Sequence, residues 1–206
     1  MILEIVQVGS MGVNCYILAS GDGSKAIIID PGDQERKIRK ALDKHHLNAG
    51  LVINTHGHYD HIGCDDKFGV PVYVYKDDYE MLTDPKLNFS AFFSVPYKVE
   101  SQITILEEGQ VIGVDDIKLK VLHIPGHTRG GIALLLTGKK EKMVFTGDTL
   151  FYLAIGRSDL EGGDGELLVK SIKEKLMVLP PDTIVYPGHG ASSTIKEEKD
   201  NPYLNA

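Results

Sequence analysis

The sequence predicts an α/β protein arranged as a four-layer αββα sandwich. Short apolar or alternating runs, typical of strands, are interspersed with two longer segments of helical periodicity. The chain also repeats a pattern. A strand ending in Asp30, a helix and a strand leading to His56 are followed later by a strand leading to Asp148, a helix and a strand leading to His189. Two such units placed face to face bring their strand ends to one edge, where open α/β sheets bind ligands.

Each element follows from its local pattern. Strands are predicted, in chain order, at 2–8, 13–19, 26–29, 51–54, 71–75, 117–124, 131–136, 143–146 and 183–186. One helix is predicted over 34–47, with Ile38, Leu42 and His45 on a single face. A second is predicted over 165–179, with Asp164 as its N-cap.

Composition restricts the class of protein. A length of 206 residues, 42% hydrophobic and 25% charged, fits one globular domain over residues 1–206. A net charge of −7 disfavours a nucleic-acid partner. The N-terminus lacks a basic leader, no apolar run reaches membrane-span length, and Cys15 and Cys64 fit a reducing compartment as free thiols. We therefore expect a cytoplasmic protein that acts on a small molecule, with no nucleic-acid or membrane partner and an oligomeric state that the sequence leaves undetermined.

The most informative segment is Thr-His-Gly-His-Tyr-Asp-His at residues 55–61. It places His56, His58 and His61 around Asp60, although the whole chain has only 8 histidines. Imidazole and carboxylate are ligands of transition metals. Because His56 and His58 are two positions apart, they can bind one ion from the same side of an extended segment. Asp60 and His61 are adjacent and predicted to diverge, which directs at least one of them toward a second ion.

Further ligands are expected on other strands, since four side chains cannot complete two coordination spheres. His127 in His-Ile-Pro-Gly-His-Thr, Asp148 in Phe-Thr-Gly-Asp-Thr and His189 in Tyr-Pro-Gly-His-Gly each follow a glycine and an apolar run. That pattern is typical of a strand ending in a turn that carries a functional residue. Asp30 is predicted to stand behind the ligands and orient a ligand histidine or a loop. An ordinary turn aspartate before Pro31 is the alternative.

These segments resemble the metallo-β-lactamase superfamily in its glyoxalase II-like (hydroxyacylglutathione hydrolase) branch, from about residue 2 to His189. The resemblance implies a first metal held by His56, His58 and His127, a second held by Asp60, His61 and His189, and Asp148 as the bridge. It also implies that a hydroxide shared by both ions is the nucleophile. Asp60 and Asp148 would balance charge and are candidates to accept a proton.

The ligand types favour hydrolysis. Nitrogen and oxygen donors without a thiolate suit Zn best and leave Fe and Mn open. A bound divalent ion lowers the pKa of water from about 15.7 toward about 7, and two ions can also polarise a carbonyl. The chain has no Gly-x-Ser-x-Gly motif, so a serine hydrolase is not indicated.

The resemblance implies a thioester substrate of the S-lactoylglutathione type. Arg157 stands where the family places a basic residue that contacts glutathione, and Phe89, Phe92 and Phe93 within residues 84–101 are predicted to form an apolar lid or, equally, to pack over the sheet edge. The family's C-terminal helical domain is not expected after His189, so weak glutathione binding is predicted. An iron-dependent persulfide dioxygenase, a lactone or β-lactam hydrolase and a non-enzymatic metal-dependent scaffold remain alternatives.

Overall fold

The computed structural model describes residues 1–93 and 95–205, which contain two large mixed sheets. The first consists of β1 (Ile2–Val8), β2 (Val13–Ala19), β3 (Lys25–Ile29), β4 (Asn48–Ile53), β5 (Val72–Tyr75) and β6 (Ile103–Leu106), in that spatial order. The second has the order β14 (Ser193–Thr194), β13 (Ile184–Pro187), β10 (Met143–Gly147), β9 (Ile132–Thr137), β8 (Ile117–His123) and β7 (Val111–Val114). A small hairpin pairs β11 (Leu150–Phe151) with β12 (Ala154–Ile155).

The helices occupy the outer faces and the connections. They are α1 (Glu35–Lys44), α2 (Tyr59–Ile62), α3 (Tyr79–Thr83), α4 (Ser90–Phe93), α5 (Gly165–Lys175) and α6 (Ile195–Glu198), with 3-10 turns at Asp65–Lys67 and Lys76–Asp78. None of them, within the part of the chain that the structure describes, combines the length and apolarity that crossing a membrane requires.

Alternation along the strands separates three apolar layers. Ile27 of β3 joins Phe145 of β10 in a core between the two sheets. Ile28, which points the other way, packs in a cluster with Ile38 of α1. On the far side of the second sheet, Ile172 of α5 lies in a third cluster. Helix, sheet, sheet and helix therefore follow one another, and the predicted αββα sandwich is confirmed.

The internal repetition corresponds to two parallel strand pairs. β3 pairs in parallel with β4 around α1, and β10 pairs in parallel with β13 around α5. Because parallel strands end at the same edge, Asp30 lies beside Thr55, and Asp148 lies beside His189.

Some element boundaries differ from the prediction. Five strands were not predicted. β6 and β7 lie at the ends of their sheets, where half-exposed faces weaken the apolar alternation, and β11, β12 and β14 have only 2 residues each. The first helix ends at Lys44 and not at residue 47, because His45 is its C-cap and His46 adopts a positive φ of 51°. The second helix ends at Lys175 and not at residue 179. Asp164 caps this helix as predicted, accepting a hydrogen bond from the Leu167 N–H.

Candidate metal centre

The seven predicted ligands come together from five segments at the strand ends. They are His56 and His58 after β4, Asp60 and His61 on α2, His127 after β8, Asp148 after β10 and His189 after β13. Tight turns bring the strands to this point. At Gly188, for example, a Cβ atom would lie 2.2 Å from Asp148 Oδ1.

The first group consists of three buried histidines. One ring nitrogen from each of His56, His58 and His127 lies within 4.8 Å of the others. His127 Nε2 is 3.0 Å from His58 Nδ1, and the His56 ring centroid is 4.7 Å from that of His58. The two-residue spacing therefore places His56 and His58 toward the same point, with His127 completing the triad.

The second group consists of Asp60, His61 and His189. His61 Nε2 is 3.3 Å from His189 Nε2, and His189 Nε2 is 3.4 Å from Asp60 Oδ2. Asp60 Oδ2 and His61 Nε2 are 3.7 Å apart, so the predicted divergence of these two side chains is wrong. They lie on a helical turn, where adjacent side chains are separated by about 100° and both can lean toward one point.

Asp148 lies between the two groups. Its Oδ1 is 3.4 Å from His61 Nε2, and its Oδ2 is 3.5 Å from His189 Nε2 and 3.8 Å from His127 Nε2. One carboxylate thus reaches histidines of both triads.

The hydrogen bonds behind the histidines show that the donor set fits metal ions. His61 Nδ1 lies 3.0 Å from Asp30 Oδ2, His127 Nδ1 lies 2.7 Å from the Arg157 carbonyl, and His189 Nδ1 lies 3.0 Å from the Met11 carbonyl. Because each acceptor requires an N–H on Nδ1, a neutral ring carries its lone pair on Nε2, directed at the centre.

Unpartnered atoms support the same conclusion. His56 Nε2 and Asp148 Oδ1 are buried without a hydrogen-bond partner among residues 1–93 and 95–205. Buried polar atoms of native proteins are rarely left unpaired. Converging lone pairs repel each other unless a cation lies between them, so this His/Asp cluster has the chemistry of a metal-binding site.

The pKa values of His58, in the first group, and His61, in the second, are shifted in opposite directions. Burial and the neighbouring imidazoles lower the pKa of His58 to about 3, which keeps this ligand neutral. Burial also lowers the pKa of His61, but the carboxylates of Asp148, Asp60 and Asp30 together raise it to about 10.

Asp30 occupies the position expected of a residue that orients ligands. Its Oδ1 accepts the Thr55 N–H at 2.7 Å, and its Oδ2 accepts the Thr55 hydroxyl at 2.7 Å and lies 3.0 Å from His61 Nδ1. Thr55 Oγ1 is in turn 3.1 Å from His56 Nδ1. Residue 147 must be a glycine for Thr55 to pack here, because a Cβ at Gly147 would lie 2.2 Å from Thr55 Oγ1.

Two supporting residues on β2 were not predicted from the sequence. The Asn14 side chain donates to the carbonyls of Pro187 and Gly190, at 3.1 and 2.9 Å, and so holds the turn that carries His189. The Tyr16 hydroxyl donates to the Pro187 carbonyl at 2.6 Å. The signal in the sequence is a polar residue, Asn14, within the otherwise apolar run Val-Asn-Cys-Tyr-Ile-Leu-Ala.

Of the three phenylalanines predicted to bind substrate, only Phe89 lies against a predicted metal ligand in the described structure. The Phe89 ring lies 5.4 Å from that of His58, whereas Phe92 and Phe93 are each 69% exposed. Phe93 stacks on Tyr59 with the ring centroids 5.4 Å apart. Ser94, within the predicted 84–101 lid, lies outside the described residues.

The guanidinium of Arg157 is paired with a neighbouring carboxylate. Its Nε and Nη2 atoms each donate to Asp159 at 2.8 Å, and both side chains are exposed. The backbone of Arg157 supports the centre instead, through the carbonyl that faces His127.

A cavity of about 260 Å³ opens beside Asp60. Its wall combines the apolar side chains of Met11, Val95 and two tyrosines with the carboxylates of Asp33 and Asp60, and Asp60 lies on the side of the metal centre. Cavities of this kind are the usual sites for small molecules.

Comparisons with known proteins agree with this geometry. The model of the family described as the metallo-beta-lactamase superfamily matches residues 8–189. Hydroxyacylglutathione hydrolase GloC of Haemophilus influenzae is 34% identical, with 100% of this chain and 99% of GloC covered. The crystal structure of the BLEG-1 B3 metallo-beta-lactamase superposes with a TM-score of 0.91 at 33% identity, covering 100% of both chains. That of TTHA1623 in a di-iron-bound form has a TM-score of 0.84 at 32% identity, covering 98% of this chain and 100% of the other.

Proposed function

The chain belongs to the metallo-beta-lactamase superfamily, and from that premise we propose that it is a binuclear metal-dependent hydrolase of thioesters of the S-lactoylglutathione type. The observation that carries the proposal is the division of the donors into two triads with Asp148 between them. The relationship to GloC, over nearly the full length of both chains, supports the thioester as substrate.

Each ligand has a proposed place. His56, His58 and His127 would hold one ion, Asp60, His61 and His189 the other, and Asp148 would contact both. The donor set favours Zn, while Fe and Mn are accepted by the same nitrogen and oxygen ligands. The di-iron form of TTHA1623 supports keeping iron in the test.

When bound, two divalent ions supply a hydroxide nucleophile near neutral pH and polarise the substrate carbonyl. The protein's own residues prepare that chemistry. Asp148 and Asp60 offset positive charge, and Asp60, in the cavity wall, is the carboxylate placed to accept a proton. Burial raises the pKa of Asp60, but the neighbouring His61 and His189 lower it by a larger amount, so the net shift is downward. The main task of Asp60 is therefore to balance positive charge. Phe89 and Tyr59 provide apolar surface beside the ligands.

A β-lactam is the second candidate substrate. BLEG-1, described as a B3 metallo-beta-lactamase, is 33% identical over the whole chain. A β-lactam and a thioester both present a carbonyl carbon to the nucleophile, so the same ligands would serve either reaction.

The test combines metal content with substrate choice. Elemental analysis of the metal-saturated protein should give close to two ions per chain, and Asp148→Ala should lose most of both. Steady-state kinetics on S-lactoylglutathione, a lactone and a β-lactam, with oxygen uptake on glutathione persulfide, should then show thioester hydrolysis without oxygen consumption. Oxygen uptake without thioesterase activity in any metal form would instead establish a dioxygenase, and a single tightly bound ion would refute the binuclear centre.

Two ligand substitutions test the catalytic assignment. His58→Ala and His189→Ala should each lower kcat by about 100-fold or more, because either change removes one metal ligand. His46→Ala is the matched control, since that histidine is exposed and pairs with Asp22 away from the centre. Circular dichroism should show intact secondary structure in all three. A kcat near that of the wild type in either ligand variant would contradict the assignment.

A further inference from the structure

A buried aspartate that is not a predicted ligand connects two of the ligand segments. Asp78 ends the 3-10 turn after β5 and is fully buried. Its Oδ2 accepts the Gly57 N–H at 3.0 Å and the Thr128 hydroxyl at 2.7 Å, and its Oδ1 accepts the Gly130 N–H at 2.6 Å.

These partners adjoin the first triad. Gly57 lies between His56 and His58, and Thr128 directly follows His127, so one carboxylate joins the two segments that supply all three histidines. The packing there is close, since a Cβ at Gly57 would lie 2.5 Å from Met81 Cβ and one at Gly130 would lie 2.4 Å from the Asp78 nitrogen.

The second triad is held by other residues. His61 is oriented by Asp30, and His189 is held by the Met11 carbonyl and by Asn14 acting on its turn. The described hydrogen bonds of Asp78 reach neither of these segments. Its support is therefore specific to one half of the centre.

We propose that Asp78 is a positioning residue that fixes the spacing of His56, His58 and His127 and thereby sets the affinity of the first metal separately from that of the second. The proposal rests on the metal centre of the proposed function and not on its substrate.

The chemistry of the contact requires a carboxylate. All three partners of Asp78 are donors, and an ionised carboxylate is an acceptor only. In either orientation, an amide of the same shape would direct its NH2 group at the backbone N–H of Gly57 or of Gly130 and leave that N–H unpaired. Burial raises the pKa of Asp78, and the three hydrogen bonds that its carboxylate accepts oppose that shift.

The experiment compares Asp78→Asn with Glu198→Gln. Glu198 is also fully buried and accepts hydrogen bonds from the Leu153 N–H and the Asn201 side chain, so it receives the same carboxylate-to-amide change away from the ligands. Chelator-treated proteins are titrated with zinc against a chromophoric competitor. Asp78→Asn should weaken one of the two zinc sites by about ten-fold or more and leave the other unchanged, as expected for loss of an outer partner of metal ligands. Glu198→Gln should bind zinc like the wild type.

Activity gives a second readout. The kcat of Asp78→Asn measured at limiting zinc should fall and recover at high zinc, which a general loss of structure would not produce. Thr128→Val keeps the side-chain shape and removes one donor, so it should shift the same zinc site in the same direction by a smaller factor, and it decides the matter if Asp78→Asn does not fold.

Unchanged zinc affinity in folded Asp78→Asn, equal weakening of both sites, or the same loss in Glu198→Gln would overturn the proposal. If the wild type binds two zinc ions but hydrolyses no thioester, the proposed function fails while the titration still decides the role of Asp78.

Discussion

Asp30 links the two halves of the centre through a single carboxylate. It accepts hydrogen bonds from Thr55, which contacts His56 of the first triad, and it faces Nδ1 of His61 in the second. Both of its oxygens are used, which explains how a carboxylate that is only 1% exposed is accommodated. Asp78, by contrast, supports one triad alone, so the two aspartates divide the task of holding the ligands.

The ion pair of Arg157 and Asp159 predicts a substitution that improves binding of a charged substrate. Asp159 offsets the guanidinium charge, so Asp159→Asn should free Arg157 for a glutathione carboxylate and lower KM for S-lactoylglutathione about two- to five-fold, in line with the modest effects of exposed pairs. The KM for an uncharged short thioester should not change. Steady-state kinetics at low salt measure both values.

Asp182→Asn is the control for net charge, because Asp182 is exposed and paired with Lys142 in a comparable way. An equal fall in KM for the charged and uncharged substrates, or the same fall in the control, would mean that the guanidinium of Arg157 does not contact the substrate.

Asp65 predicts an unusual dependence of stability on pH. This carboxyl is fully buried, its Oδ1 accepts from the Asn54 side chain at 3.1 Å, and its Oδ2 has no partner among the described residues. Burial holds its pKa well above the ordinary value, so the folded state disfavours the ionised form. This destabilisation is absent below the unfolded pKa of about 4 and grows as pH rises toward the folded pKa. Asp65→Asn should therefore be more stable than the wild type at pH 7, with a smaller difference at pH 4.

The neighbouring Asp66 should behave in the opposite way. Burial raises its pKa, but hydrogen bonds from Ser101, Tyr97 and Glu100 lower it more, so the ionised form stabilises the fold above the unfolded pKa and this contribution is lost as pH falls. Asp66→Asn should thus lower stability at pH 7. Urea unfolding of both variants in chelator at several pH values checks the two signs, and a gain in stability for Asp66→Asn would refute the argument.

The sequence predicted the ligand candidates because metal chemistry restricts which residue types can serve and the turns place them visibly after apolar runs. It did not predict Asp78. The segment Lys76–Asp78 has the composition of a solvent-exposed turn. The hydrogen-bond partners of Asp78 are 21, 50 and 52 positions away in the sequence. Only the folded chain brings such partners together.

At the level of elements, β2 of the first sheet holds the turn after β13 of the second. The Asn14 N–H donates to the Gly188 carbonyl at 2.7 Å, and its side chain binds the carbonyls on either side of His189. Asn14→Ala should therefore weaken the second metal and spare the first, the reverse of Asp78→Asn. Zinc titration measures both sites.

Asn205→Ala is the matched control for this change, since the Asn205 side chain also donates to two backbone carbonyls but near the C-terminal end. Equal weakening of both zinc sites by Asn14→Ala would show that β2 supports the whole edge and not the His189 turn alone.

Helices were predicted correctly where the hydrophobic periodicity extends over several turns. α1 and α5 were found because each presents a buried face over several turns. α2 has only four residues, too few for an amphipathic pattern, and it forms because the surrounding structure fixes it. Its helical turn is the reason Asp60 and His61 point together, which the residue spacing alone could not reveal.

At the scale of the whole molecule, the proposed metal ligands lie outside the three apolar clusters of the described residues. The clusters are built from strand and helix residues such as Phe145, Ile28 and Ile172, while the histidines and aspartates occupy the turns beyond the strand ends. Most of the free energy of folding comes from apolar burial. The sandwich should therefore survive the loss of its metals.

Metal removal tests this separation. Because the ligands converge only in the folded state, each bound ion stabilises that state by mass action, by about 3–4 kcal/mol when free metal exceeds the Kd of its site by 100- to 1,000-fold. For a chain of this size each ion corresponds to an increase in Tm of about 5–15 °C. Chelator-treated protein should thus retain the far-ultraviolet circular dichroism of the metal-bound form but melt at a lower temperature, and zinc should restore the Tm. Asp148→Ala should melt close to the chelated wild type and gain little from zinc. Loss of the circular dichroism signal on chelation would show that the sandwich does not fold without bound metal.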